Sequence, residues 1–142
     1  MSTQDANKEV VRRLLEEVVN TGDVSSLPEL VHPDCVEVDG QTRVISGVEG
    51  LAEHVRIVRA MYEGLHVTIL NQIAEGDWVA TVLVAEGVHS GEWLGMAPTG
   101  KRLSFSGVNV DRVIDGKIVE HGGAANMLQP FIESGAIKPV RP

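Results

Sequence analysis

From Asp5 to Asn20 the apolar residues fall at Val10, Val11, Leu14, Leu15, Val18 and Val19, with Arg12, Arg13, Glu16 and Glu17 largely opposite. That spacing predicts one helix with a single apolar stripe. Asn20-Thr21-Gly22 offers a stop through a left-handed residue. Ser25 and Ser26 can cap a short second helix carrying Leu27, Leu30 and Val31, and His32-Pro33 ends it, because the residue before proline avoids the helical region. Cys35 to Asp39 reads as a short strand, and Gly47 to Tyr62 as a third helix with Leu51, Val55, Val58 and Tyr62 on one face.

After Gly64 the period changes to two. Leu65–Ile73 runs to a turn at Glu75-Gly76-Asp77, and Trp78–Val88 follows. Lys101–Ile114 meets Asp115-Gly116, a strong hairpin signal, and Lys117 to about Asn126 returns. Met127–Ser134 reads as a short closing helix before Gly135. Helices first and a strand meander afterwards argue for an α+β fold in one domain over residues 1–142.

Trp78, Ala80, Val82, Val84 and Val88 point one way along their strand, and Val79, Leu83 and Ala85 the other. A strand apolar on both faces is expected to be covered on both. The helices can cover one. The second is expected to meet a second copy of the chain, the alternative being the C-terminal segment folded over it. Trp78 is expected in the core.

Composition narrows the partners. A net charge of -8 with no basic run argues against nucleic acid and anionic membranes. The start MSTQDANKEV has no apolar signal region, and no apolar run is long enough to span a bilayer, so a cytoplasmic setting is expected. A single cysteine, Cys35, rules out an intrachain disulfide, and no histidine pair has metal-ligand spacing, so neither a metal nor another cofactor is expected.

The stretches VVNTGD, ELVHPDC and GVEGLAEHVRIVRAMY, then GVHSGEWLGMAPTGK (GxHxGxxxGxxPTGK) followed by the DGKI hairpin, resemble the SnoaL-like polyketide cyclases. The resemblance runs from about Glu9 to Gly135. It implies the nuclear-transport-factor-2-like architecture: a cone formed by a curved antiparallel sheet and three N-terminal helices around an apolar cavity, usually dimeric, with a ligand in the cone. It also implies a cyclase that closes a polyketide ring by an intramolecular aldol reaction without metal or organic cofactor. The family's His, on the strand after PTG, falls on Asn109 here, and its Asp, after DGKI, on Gly123. An Asp that many relatives carry further along falls on Asn126. The chain departs from the pattern at all three positions.

An asparagine cannot take a proton from carbon near neutral pH, but Asn109 can donate a hydrogen bond to an enolate oxygen. If Asn109 and the Gly123 position face the cavity, alternation brings in Asp111 and His121, two residues nearer the hairpin. A His held by an Asp is a standard proton-transfer pair. The alternative is solvated surface, with a bulge turning either residue outward. Glu37 falls where the family shows a polar cavity residue. Inside an apolar cone it could act as a base, and it faces water if Val36 and Val38 face inward. His89 is a family-retained position that could touch substrate or simply bond nearby backbone. Trp93 and Met96 lie on a loop expected near the cavity mouth, as a lid or as a core plug, and Tyr62 could place a hydroxyl over the cavity. Asn126 completes the candidate lining. His54 and His66 have no nameable partner.

Together with the resemblance, these residues imply a cofactor-independent enzyme of the polyketide cyclase type that moves a proton next to a carbonyl in a small apolar or aromatic metabolite, by cyclisation, isomerisation or dehydration. The alternatives are a binding module without turnover on the same fold, or a related hydroxylase or hydrolase.

Overall fold

The computed structural model describes residues 1–141. The N-terminal helix starts as α1 (Thr3–Arg13), capped by Ser2, whose hydroxyl accepts from the Asp5 amide at 3.1 Å. From Leu14 to Val19 it widens into a π-helical stretch, closed by the Asn20 amide donating to the Leu15 carbonyl. Leu14, Leu15 and Val18 are all buried there. The helical period visible in the sequence does not distinguish the two forms, so the reading of one regular helix to Asn20 is corrected. A single-turn helix α2 (Leu27–Leu30) follows, and then strands β1 (Val31–Asp39) and β2 (Thr42–Ile45), the second unforeseen. Helix α3 (Gly47–Met61), strands β3 (Tyr62–Glu75), β4 (Trp78–His89), β5 (Arg102–Ile114) and β6 (Lys117–Ala125), and helix α4 (Leu128–Ser134) complete the chain. Tyr62 opens β3 rather than ending α3.

The six strands form one curved, open sheet in the order β2-β1-β6-β5-β4-β3. Its pairs are antiparallel except one: β1 runs parallel to β6. The expectation of a purely antiparallel sheet is therefore corrected to a mixed one. This pairing joins segments about eighty residues apart, with no turn between them to announce it. The tight hairpins β3–β4 and β5–β6 follow their turn residues. Asp115 and Gly116 both have positive φ, as a type I′ turn requires, and Gly76 takes the left-handed first position between β3 and β4.

On β4, Val79, Thr81, Leu83, Gly87 and His89 are buried toward the helices. The main core joins α1, the π stretch, α2 and α3 to this face through Val11, Leu14, Leu27, Leu30, Leu51 and Val79. A second cluster at the other end holds Met61, Tyr62, Leu65, Leu103, Phe105 and Phe131, so α4 packs on the same inner face. It leaves the outer face open: Ile73, Trp78, Val108 and Val110 are exposed there. Trp78, expected in the core, is 43% exposed, with the Arg112 guanidinium 5.7 Å from its ring centroid.

Asn20 fastens the end of the π stretch to the sheet's edge. Its side chain accepts from the Val67 amide at 2.7 Å and donates to the Val67 carbonyl at 3.0 Å. Arg59 of α3 donates to the Val19 and Asn20 carbonyls beside it. Asn20→Ala removes the side-chain partners of the Val67 amide and carbonyl. It is expected to cost about 1–3 kcal/mol, read as a lower midpoint in urea unfolding.

Candidate active site

Strand register places the polar side chains of the inner face in one rung. Val44 of β2 pairs with Glu37, Glu37 with His121, His121 with Asp111, and Asp111 with Val79. The next rung pairs Thr81 with Asn109 and Asn109 with Gly123. A bulge sets this register. Arg112 pairs with Glu120 and Val113 with Ile118, so Val119 is an extra residue on β6. Without it Asp111 would stand opposite Glu120, and His121 would face outward. The bulge, weighed in the sequence as something that would separate the pair, is what brings it together.

His121 Nδ1 lies 2.5 Å from Asp111 Oδ1. Asp111 is fully buried, and its Oδ2 has no hydrogen-bond partner among the described residues. The side chain of His121 is 16% exposed, so the ring reaches the recess while its inner edge is held. Burial disfavours the charged imidazole. The Asp111 charge, its hydrogen bond and the Glu37 charge outweigh that cost, and the His121 pKa is raised above the ordinary 6.5. At neutral pH Nδ1–H donates to Asp111, and Nε2 remains for the recess. Glu37 is half-buried, and its Oε1 is buried without a partner.

A recess of about 550 Å³ opens above this rung, lined by Glu37, His121, Asn109, His54 and the small residues from Gly122 to Ala125. A second of about 390 Å³ is apolar, with Met61, Tyr62, Leu83, Trp93, Phe105 and Met127. A narrower one of about 150 Å³ lies between the π stretch, α3 and the sheet. His54 and Asn109 border all three. Tyr62 is buried with its hydroxyl unpartnered, and burial pushes its pKa up to about 12, so it stays a neutral phenol. Trp93 and Met96 close a tight turn by exchanging backbone hydrogen bonds. Trp93 borders the apolar recess, and Met96 packs behind it in the aromatic cluster.

Two candidates lie elsewhere. His89 is fully buried between Tyr62 and Phe131, with Nδ1 accepting from the Thr99 amide, and it borders none of the recesses. Asn126 is exposed past the end of β6 and borders none either. The side chain that sequence reasoning left without a partner, His54, is in the recess. The signal was its place on the α3 stripe, three residues after Leu51 and four before Val58. His54 is exposed to solvent at the recess; the protein packed around it, the largest effect, lowers its pKa, Glu37 opposes this and His121 adds to it. Burial, then the charges of Asp111, Glu37 and Glu120, pushes the Cys35 thiol up to about 12, which leaves it no thiolate character near neutral pH. Among the described residues no three His, Cys, Asp or Glu side chains converge as metal ligands. No helix is long and apolar enough to cross a membrane.

Residues 9–131 match the family model for SnoaL-like polyketide cyclases. The chain belongs to the SnoaL-like polyketide cyclase family. Among its SnoaL-like relatives is aklanonic acid methyl ester cyclase DnrD of Streptomyces peucetius, 33% identical over 141 residues, spanning 95% of this chain and 92% of that one. Nogalonic acid methyl ester cyclase of Streptomyces nogalater is 34% identical over 104 residues, spanning 72% and 78%. Of solved SnoaL-like structures, IdmH of Streptomyces antibioticus, a candidate polyketide cyclase, superposes with a TM-score of 0.76 at 30% identity, covering 91% of this chain and 98% of IdmH. AclR of Streptomyces galilaeus, a candidate hydroxylase, gives a TM-score of 0.82 at 26% identity, covering 97% and 90%.

The backbone at Gly123 leaves no room for a side chain. Its φ is +153°, and an added Cβ would lie 2.3 Å from the Val108 carbonyl oxygen and 3.0 Å from Asn109 Oδ1. The neighbouring backbone of Val108 and Asn109 fills the space that any side chain at 123 would need. Gly123→Ala is expected to destabilise the fold by about 2 kcal/mol or more, measured by thermal melting.

The His121 pair carries a pH signature. A pKa raised by folding contributes stability in full below the ordinary 6.5 and loses it as pH rises through the folded value. The stability difference between the wild type and His121→Gln should therefore be largest at about pH 6 and shrink by pH 9, read from melting temperatures. A gap that does not change with pH contradicts the pairing.

Proposed function

We propose that this chain is a polyketide cyclase-type enzyme whose proton-transfer group is the Asp111–His121 pair, acting on a small, flat, largely apolar polyketide-like molecule. The observation that carries this reading is the short contact between His121 Nδ1 and the fully buried Asp111 carboxylate, with the other ring edge in the recess. Supporting it are the family membership and relatives whose names give the methyl esters of aklanonic and nogalonic acid as substrates.

In this reading the carbonyl to be enolised lies over the His121–Asn109 edge. His121, whose pKa the Asp111 contact raises, gives a proton from Nε2 to the carbonyl oxygen as negative charge develops there. The Asn109 amide donates a second hydrogen bond to the same oxygen. Glu37, next to His121 in register, helps to hold the imidazolium. The apolar recess with Trp93, Phe105 and Met61 takes the aromatic body, and the Tyr62 hydroxyl meets a polar substituent on it. This assignment differs from the family's own pair, whose positions hold Asn109 and Gly123.

The exposed apolar residues of the outer sheet face fit a second copy of this chain, since α4 packs on the inner face and leaves them bare. Val110→Lys, at the centre of that face, is expected to turn a dimer into a monomer in sedimentation equilibrium. A wild type that is monomeric at high concentration refutes the pairing.

Aklanonic acid methyl ester and nogalonic acid methyl ester are the first substrates to test, with ring closure followed by chromatography. His121→Gln and Asp111→Asn are each expected to lower kcat/KM about 10²–10⁴-fold with the fold intact. Unchanged turnover in both would overturn the assignment. Binding of either ester without turnover in the wild type would favour a non-catalytic binding module, the reading supported by the absence of the family's His and Asp types at 109 and 123.

A further inference from the structure

We propose, on the proton-transfer reading of the same site, that His54 is its general base and removes the carbon-bound proton across the recess from His121. An acid over the carbonyl oxygen is half of an enolisation; an unprotonated group must face the adjacent carbon. His54 has the position. It projects from α3, on the helical layer, into the recess whose opposite wall carries Asn109 and His121, and it borders every part of the cavity. Its ring makes no hydrogen bond among the described residues, so no protein group competes for its lone pair.

The surroundings divide the two histidines. His121 has a buried carboxylate bonded to it, and His54 has none. The groups facing His54 are Glu37 on β1 and His121 on β6, with Asp39 farther out along the same recess and Tyr62, a neutral phenol, toward the apolar end. On its own helix, Glu53 and Arg56 pair with each other, and Arg59 turns away to the Val19 and Asn20 carbonyls. The combined effect lowers the His54 pKa while that of His121 is raised. Two like groups driven apart by their environments make an acid and a base at one pH. Glu37, whose charge already sits beside the His121 imidazolium, is the weaker candidate.

The protons balance over a ring closure. The C–H electron pair becomes the enol double bond, the proton passes to His54, and the carbonyl oxygen takes the His121 proton. The enol carbon then bonds to a second carbonyl carbon. The new alkoxide takes the proton from His54, and the enol oxygen returns its proton to His121 as the first carbonyl re-forms. Both histidines end as they began, and no further reactant is consumed.

The test uses 2-tetralone, a flat bicyclic ketone with acidic hydrogens next to its carbonyl, in D₂O, alongside histidine-labelled NMR of the free protein. The wild type should bind it and speed deuterium uptake. His54→Gln and His54→Asn should slow that uptake about 10²–10⁴-fold while still binding the ketone and melting as the wild type does. The His54 ring should titrate below the ordinary histidine range. A His54 that titrates at or above that range overturns the base role. So does undiminished exchange in the His54 variants; if Glu37→Gln then abolishes exchange, Glu37 is the base and the proton-transfer reading survives. A wild type that speeds no exchange refutes the proton-transfer reading and the base role with it.

Discussion

The inner face is organised around a carboxylate that water cannot reach. A carboxylate buried to zero exposure needs a partner, because an unpaired charge in the interior costs several kcal/mol. His121 is the partner it has, and the geometry of both strands serves that contact. The extra residue at Val119 sets the register, the parallel β1 brings Glu37 to the other side, and Val79 and the helical layer seal the rung behind. Removing one partner leaves the other to bear that penalty alone.

The same rung gives the proposed chemistry its location. Positions 109 and 123 stand one rung farther from the hairpin, and there the chain has an amide and a glycine whose backbone cannot accept a Cβ. The titratable groups lie one step nearer the turn, on identical strands and facing the same way. In the proposed reading, chemistry moved along the strands while the scaffold stayed. A two-residue step along a strand keeps the face and shifts a side chain by about 7 Å, which the open recess can absorb.

Much of this was legible in the sequence, for identifiable reasons. Most helices and the hairpins β3–β4 and β5–β6 announced themselves through local period and turn residues, Asp115-Gly116 above all; β2 did not. The opposition of Asp111 and His121 followed from strand alternation, but only because the family resemblance set Asn109 against Gly123. Counting back from the hairpin would have missed by one residue, since nothing local reveals that Val119 is extra. The parallel β1–β6 pair was illegible because its contacts are remote in sequence. Trp78 was misplaced because an aromatic at a strand's start reads as core whichever face it takes. His54 lay on a helical stripe among aliphatic neighbours, and its meaning appears only when the opposite wall of the recess is known.

The central claim is that Asp111 holds His121 as an imidazolium in the resting protein. ¹⁵N-resolved NMR of the His121 ring at neutral pH tests it most directly. The account predicts protons on both ring nitrogens, with the Nδ1 proton shifted far downfield by its short bond to Asp111. A ring carrying one proton at neutral pH, titrating below the ordinary histidine value, would contradict it.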